Sequence, residues 1–435
     1  MALRILVLGA YGLIGSAVVD RLAAASHAVT GLGRNVASAA RARPHITLVA
    51  RDIAACVRPE DWALVISGMD VAVNCAGALQ DGRRDDVRAV QETAMLALWQ
   101  ACAAAGTRCV VQVSAAGAAA DAPTLFMRSK AAADAALARL DLGWVVLRPG
   151  LVWAPTAYGA TALLRALAAW PAWLPLPLPF SDARLQTVGV GDVADAVLAA
   201  AEGRLPDRRQ YDLVEAESHS LAALVIALRG WSGRRPLRIW PAPAALAHVA
   251  GRICDLLGRL GWRAPLRSTA LAEIARGVLG DPAAWAAANG RPVASLAETL
   301  RRHPATVQER WFGRLWLLRP VLVAGLAAFW LASGAIALAR PEAAAAVLTA
   351  RGLAEAPACA FVVGGAAVDL ALGALVLLRR TMPLAAFGML ATSAGYLLGG
   401  TLLAPDLWAD PLGPLVKVLP AMLPAAALLA LAEDR

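Results

Sequence analysis

Three glycines, Gly9, Gly12 and Gly15, stand near the start of the chain in the run Gly9-Ala10-Tyr11-Gly12-Leu13-Ile14-Gly15. They follow a short apolar stretch, Arg4-Ile5-Leu6-Val7-Leu8, and open a helical pattern over 12–24. That placement suits the binding of a dinucleotide's pyrophosphate. The first glycine permits a tight turn, the second lets the backbone approach the phosphates, and the third lets helix and strand pack closely. The helix start adds unpaired N–H groups and a partial positive charge. Tyr11, Leu13 and Ile14 belong to the same turn and are expected to line it. The spacing is GxxGxxG rather than GxGxxG. Its weight comes from its position at the first strand–helix junction.

Further residues extend this reading along the chain. Gly31-Leu32-Gly33-Arg34 ends a second apolar run without a carboxylate for a ribose 2′-hydroxyl. Arg34 instead offers a guanidinium suited to a 2′-phosphate, so NADP(H) is expected ahead of NAD(H). Asp52 and Ile53 follow a third run and are expected at the adenine. Cys75, Ala76 and Gly77, after Asn74, are small enough for a ribose to lie against the backbone. Ser114 ends a fifth run, where its hydroxyl is a candidate to polarise a carbonyl or to cap a turn. Lys130 and Lys417 are the only lysines among 41 basic residues. A compact ammonium on a flexible stem suits a ribose contact that arginine serves poorly, so Lys130 is a cofactor candidate. No metal site is expected, because the six cysteines show neither CxxC nor histidine pairing at ligand spacing.

The elements that must position these groups follow from periodicity. Apolar or β-branched runs at 3–8, 28–33, 46–50, 70–74, 108–114 and 144–148 alternate with helical patterns, including 12–24 and 86–105. Such alternation predicts an α/β fold, a doubly wound parallel sheet of Rossmann type. After Arg148-Pro149-Gly150 the chain turns Pro- and Trp-rich, as in Trp170-Pro171-Ala172-Trp173-Leu174-Pro175. This suits a substrate lobe, and its prolines argue against long helices there. Residues 1–216 are therefore expected to form the dinucleotide-binding domain with its lobe. Residues 217–312 read as an Arg-rich helical extension broken at Gly261, Gly280 and Gly290. Within it the stretch 242–262 is amphipathic. Two readings stand for it: a helix on a membrane surface, or one packed on the Rossmann domain.

Composition points to lipid for the remainder. The chain is 59% hydrophobic and 17% charged, with a mean hydropathy of +0.57, too apolar for a wholly soluble protein. Residues 313–435 are expected to form an all-α, four-helix transmembrane domain with spans at about 320–339, 356–378, 381–405 and 411–432. Between Arg229 and Arg319 fifteen arginines face five acidic residues, a local charge of +10 against +9 for the whole chain. A basic stretch beside apolar spans suits an anionic leaflet, so membrane lipids are expected as partners and nucleic acid is not. Arginines precede the first span and Arg379-Arg380 joins the second and third, which predicts a cytoplasmic Rossmann domain and two cytoplasmic termini. With no signal peptide visible, the expected location is a bacterial-type inner membrane, crossed several times.

Taken together, Gly9 to Gly15, Asn74 to Gly77, Ser114, Lys130, Arg148-Pro149-Gly150 and Val188 to Ala194 resemble the atypical short-chain dehydrogenase/reductases over residues 1–300. They are similar to epimerase/dehydratase-like proteins and to the nucleotide-binding accessory subunit of respiratory complex I. In active members, the resemblance implies, a Tyr spaced YxxxK acts as proton donor beside a Lys and a Ser. Here the matching segment is Phe126-Met127-Arg128-Ser129-Lys130, and Phe126 cannot exchange a proton. Ser114 and Lys130 are then the catalytic candidates left, with Tyr158 a candidate substitute hydroxyl.

From Glu309 onward, Arg310-Trp311-Phe312, Val368 to Gly373, Tyr396 and Asp410 to Lys417 resemble a DoxX-like membrane module. Asp369 falls mid-span, so it should face the bundle interior with a partner, for which Lys417 is the expected choice. Two functions are implied. One is a membrane-anchored NADP(H)-dependent oxidoreductase acting on a lipid, isoprenoid or quinone-type substrate. The other is a nucleotide-binding scaffold or redox sensor of a membrane protein complex.

Overall fold

The computed structural model describes residues 2–34, 36–82, 86–262 and 264–432, apart from the side chain of Ser38. The chain divides into two compact units: Met1–Asp255 with Ala264–Arg310, and Leu256–Arg263 with Trp311–Arg435.

The first unit is built on strands β1 (Arg4–Leu8), β2 (Ala28–Gly33), β3 (Thr47–Ala50), β4 (Val71–Asn74), β5 (Cys109–Val113) and β6 (Gly143–Pro149). Three short ladders follow: β7 (Leu151–Trp153) with β10 (Thr187–Gly189), β8 (Leu176–Pro179) with β13 (Ile239–Ala242), and β9 (Arg184–Leu185) with β12 (His219–Ser220). The main sheet takes in β11 (Arg209–Leu213) and runs in the order β11-β6-β5-β4-β1-β2-β3, all parallel. Its central strands are unbroken apolar runs because both faces are covered. Ile5, Val7, Val71 and Val111 point into one core, while Leu6, Leu8, Ala72 and Val110 point into the other.

Helices α1 (Leu13–Ala24), α2 (Ala37–Ala42), α3 (Ala63–Ile66), α4 (Ala94–Ala104), α5 (Leu125–Leu137), α6 (Gly159–Ala168) and α7 (Val190–Ala201) complete the sandwich and open the lobe. Val18, Val19 and Leu22 of α1 share a core with Val193 and Val197 of α7. Met95, Leu98 and Trp99 of α4 fill the opposite face with Leu137 of α5. The strand order reverses between β1 and β4, and ligands of such sheets bind in the crevice at the carboxyl ends of the strands flanking that point.

Two features of this unit depart from the sequence expectation. The seventh strand, β11, has no counterpart among the expected runs: in Arg209-Gln210-Tyr211-Asp212-Leu213 only Tyr211 and Leu213 are buried, as on an edge strand. Helix α7 runs for twelve residues within the proline-rich stretch, because 184–205 carries no proline. Beyond it come α8 (Leu221–Trp231), α9 (Ala244–Arg259), α10 (Ser268–Arg276), α11 (Ala283–Asn289) and α12 (Leu296–Arg302). Leu224, Val225 and Leu228 of α8 join Trp153, Leu164, Leu296 and Leu300 in the core of the lobe.

The second unit holds α13 (Val307–Ala339, mostly in this unit), α14 (Pro341–Thr349), α15 (Glu355–Leu375), α16 (Met382–Leu403) and α17 (Pro414–Ala430). Helices α13, α15 and α16 are long and apolar enough to cross a membrane; α17 has 17 residues and two internal prolines. Large apolar side chains such as Phe329, Ile336, Phe361, Leu384 and Phe387 point outward. Inside, small residues bring helices together: a Cβ on Gly334 would stand 2.7 Å from the Ala366 carbonyl oxygen. Asp369 is buried, but its partner is not Lys417. It accepts hydrogen bonds from Ser333 Oγ (2.8 Å) and Tyr396 OH (3.1 Å), hydroxyls carried by the helices on either side. Lys417 lies in the first turn of α17 and is exposed, so the expected ion pair does not form.

Candidate cofactor site

The glycine turn joins β1 to α1 directly. Gly9 has φ +69°, a left-handed conformation that glycine adopts without a Cβ penalty. Its N–H donates to the Leu32 carbonyl (2.9 Å), and Gly12 N–H donates to the Gly9 carbonyl (2.8 Å). A Cβ on Gly15 would stand 2.1 Å from the Gly9 oxygen, so only glycine lets α1 pack so close to the turn. Gly12 is the N-cap of α1, and among the described residues no side chain caps that helix. Its first-turn amides are thereby kept for an external anion.

Tyr11 leaves the turn and lies flat against the end of β2. A Cβ on Gly33 would stand 2.1 Å from Tyr11 Cε1, and the phenol oxygen accepts the Arg34 backbone N–H at 3.1 Å. Tyr11, Gly33 and Arg34 are thus brought together at the strand end. Asp52 caps the short helical turn that begins at Ile53, accepting from Ala54 N–H at 3.2 Å. Ile53 is buried in the core with Leu8, Leu32 and Ala76, so its side chain points inward.

At the end of β4, Asn74 Oδ1 accepts from Ala76 N–H (2.9 Å) and its amide donates to Gln112 (2.8 Å), which fixes the turn Cys75-Ala76-Gly77. A Cβ on Gly9 would stand 3.0 Å from the Ala76 backbone, so the two turns meet. Lys130 enters from α5 and is buried; its Nζ donates to the Val113 carbonyl (2.9 Å). A Cβ on Gly77 would lie 3.4 Å from that Nζ. Lys130 and Gly77 therefore share one floor between β4 and β5. Burial pulls the Lys130 ammonium below the usual lysine range, partly offset by Asp134 and Cys75. Burial likewise pushes the Cys75 thiol up to about 12, against the pull of Lys130.

Ser114, next to Val113, is committed to an adjoining network. Its hydroxyl donates to Asp134 Oδ2 (2.7 Å), the same oxygen that accepts from Arg148 (3.0 Å). All three lie between the ends of β5 and β6 and helix α5. Asp134 carries a carboxyl raised by burial and opposed by Ser114 and Arg148. Phe126 packs against Ala118, Ala122 and Met127. Tyr158 begins α6 in the lobe, about half exposed.

Two groups escaped the sequence reading. Gln91 sits in a π-helical turn, Ala89–Thr93, just before α4, and is buried. Its amide donates to Ser129 Oγ (2.9 Å), while its Oε1 is buried without a hydrogen-bond partner among the described residues. That oxygen would lie 2.9 Å from a Cβ on Gly77. The only sequence signal is a polar residue in an otherwise apolar helical pattern. The second group braces the loops that follow β4 and β5. Gln80 donates to Asp255 of α9 (3.0 Å), Arg267 donates to the Asp81 carbonyl (3.1 Å), and Arg276 of α10 donates to the Gly117 carbonyl (3.0 Å). Thr124, the N-cap of α5, donates to Glu273. No short-range pattern foretells these ties.

An open helix start, a glycine-only turn and a buried ammonium beside an unpartnered amide oxygen fit a nicotinamide dinucleotide. Comparison with known families agrees. Residues 9–163 match the family described as NAD(P)H-binding. Residues 327–426 match the DoxX-like family. The chain joins an NAD(P)H-binding Rossmann domain to a DoxX-like membrane domain.

Solved structures of the same fold include three informative relatives. The NADPH-dependent quinone oxidoreductase of Escherichia coli, complexed with NADPH, is 19% identical (TM-score 0.53) over 68% of this chain and 99% of that one. The UDP-glucose 4-epimerase of Thermus thermophilus, complexed with NAD, is 22% identical (TM-score 0.51) over 68% and 96%. The Bordetella bronchiseptica enzyme WbmG, complexed with NAD and UDP, is 15% identical (TM-score 0.53) over 69% and 93%. Identities this low show a shared fold. No curated protein matches the chain in sequence.

Proposed function

We propose that the chain is a membrane-anchored, NADPH-preferring oxidoreductase whose hydride acceptor is a quinone-type molecule drawn from the lipid phase. The observation that carries this reading is the contrast within the cleft. The cofactor-holding groups Gly9, Gly12, Gly15, Gly77 and Lys130 are assembled, while the tyrosine position is Phe126. A bound reduced nicotinamide supplies a hydride. Lys130 would hold the ribose by its ammonium, Gln91 Oε1 would accept a hydrogen bond from a hydroxyl nearby, and the brace from α9 and α10 fixes both loops bordering the cleft. Reduction of a quinone-type acceptor would need one hydride, which the bound nicotinamide would supply, and one proton, which would come from water. An aligned phenol is less needed there than for a simple ketone, whose alkoxide is far more basic. In this reading Ser114 positions Asp134 and α5 and does not touch the acceptor. Arg34 would supply the preference for a 2′-phosphate, and the arginine pattern supports a Rossmann domain on the cytoplasmic side.

The alternative, a nucleotide-holding scaffold or redox sensor, draws support from Phe126 and from the commitment of Ser114 to Asp134. Full-length protein in nanodiscs, loaded with NADPH and given a short-chain quinone, separates the two. The oxidoreductase oxidises the bound cofactor. A scaffold binds it and leaves it reduced, in the native chain and in Phe126→Tyr alike.

A further inference from the structure

Helix α9 presents two unlike faces. Ala247 and Gly251 are buried, and a Cβ on Gly251 would stand 3.0 Å from Leu271 of α10. The opposite face carries Leu246, Val249, Ile253, Leu256 and Leu257, with Leu260 just past the helix end; all are between 36% and 59% exposed. At about 100° per residue these positions fall on one stripe about 100° wide. Arg252 and Arg259, both exposed, fall together along one edge of it. A stripe of six large apolar side chains is what a soluble surface avoids.

We propose that this stripe lies in the interfacial layer of the bilayer, making α9 an in-plane membrane helix. The chain leaving α9 argues for that occupant. The Leu260 carbonyl accepts from Arg379 N–H (3.2 Å), and Trp262 Nε1 donates to the Leu377 carbonyl (2.8 Å). The Trp262 ring lies under the guanidinium of Arg319, 5.4 Å from its centroid, and under that of Arg379, at 5.9 Å. Arg319 precedes the uncharged stretch of α13 and Arg379 follows α15, so both mark where apolar helix meets charged chain. Tryptophan beside such arginines is the usual composition of a membrane–water boundary. The polypeptide end of α9 is thus held at that boundary, and Arg252 and Arg259 suit anionic headgroups. A second copy is the poorer occupant, since an antiparallel two-fold pairing of the stripes brings the basic edges to the same side. The two sequence readings of 242–262 then apply to different faces of one helix.

The inference rests on the membrane insertion of the DoxX-like domain, and one experiment tests both. Full-length chain is reconstituted in nanodiscs of neutral and anionic phospholipid carrying a diazirine on the acyl chain, photolysed, and mapped by mass spectrometry. Adducts are expected on Val249, Ile253 and Leu256 as well as on Phe329 and Leu384 of α13 and α16. Ile253→Asp with Leu256→Asp should lower the α9 adducts at least tenfold and leave those on α13 and α16 unchanged. Adducts confined to α13–α17, or copy-to-copy cross-links through Ile253 in their place, would overturn the assignment of α9. Absence of adducts on every helix would overturn the membrane reading beneath it.

Discussion

The two sides of the cleft are built to different standards. On the β1–β2 and β4 side the backbone sets the shape: Gly9 stands at φ +69°, and a Cβ on Gly15 would stand 2.1 Å from the Gly9 oxygen. On the β5–α5 side, apart from Lys130, which reaches across to Gly77, the side chains are tied to the protein itself: Ser114 to Asp134, Asp134 to Arg148, Phe126 to an apolar cluster. One side is shaped to receive a ligand. The other is shaped to hold a helix. In the proposed reading the difference separates gripping a dinucleotide from supplying acid–base chemistry to a substrate, and a self-sufficient hydride acceptor suits such a site.

The largest break in that contrast is expected from Gly15→Ala. The added Cβ meets the Gly9 oxygen, so turn and helix must part, and NADPH affinity should fall about 100-fold, roughly 2.7 kcal/mol, by titration calorimetry. Lys130→Met should cost about tenfold in affinity, roughly 1.4 kcal/mol, and should change the pH profile. Burial lowers the Lys130 pKa from the ordinary 10.5, so its charge is lost before that of a surface lysine. Native affinity should therefore be steady while Lys130 is charged and decline as pH rises through the lowered value towards 10.5; the variant should lack that decline. The same shift means the unfolded chain holds more protons across that window, so Lys130 contributes stability that increases as pH rises through it. The raised Cys75 thiol acts in the opposite sense above 9.0 and is coupled to Lys130, so the comparison is made in a Cys75→Ala background.

Arg34→Ala sharpens the ligand-facing side. It should weaken NADPH about tenfold, again roughly 1.4 kcal/mol, with little change for NADH. Equal losses for both cofactors would assign Arg34 a structural role. Ser114→Ala sharpens the helix-holding side. Losing a donor to a buried carboxylate should cost about 1–3 kcal/mol in denaturant unfolding, while the turnover of protein that remains folded stays within about twofold. A large fall in turnover at unchanged stability would return Ser114 to the chemistry.

What was legible beforehand divides along the same line. The glycine turn, the parallel sheet and the nicotinamide cofactor class were readable because a strand–turn–helix junction is local and its glycines carry a steric reason. Lys130 stood out because the chain otherwise uses arginine. Gln91, the Ser114–Asp134–Arg148 network and the ties from Asp255 and Arg276 were not readable, since each joins elements far apart in sequence. Strand β11 lacked an apolar run because only one of its faces is filled. Asp369 was read correctly as needing a partner, but charge suggested Lys417. The bundle supplied the Ser333 and Tyr396 hydroxyls from flanking helices, which avoids bringing a second charge into the interior.

The most direct test mixes NADPH-loaded, full-length protein in nanodiscs with a short-chain quinone and follows nicotinamide absorbance in a single turnover. Stoichiometric oxidation of the bound cofactor, little changed in Phe126→Tyr, is the predicted result. Cofactor that stays bound and reduced through the same mixing would contradict the account.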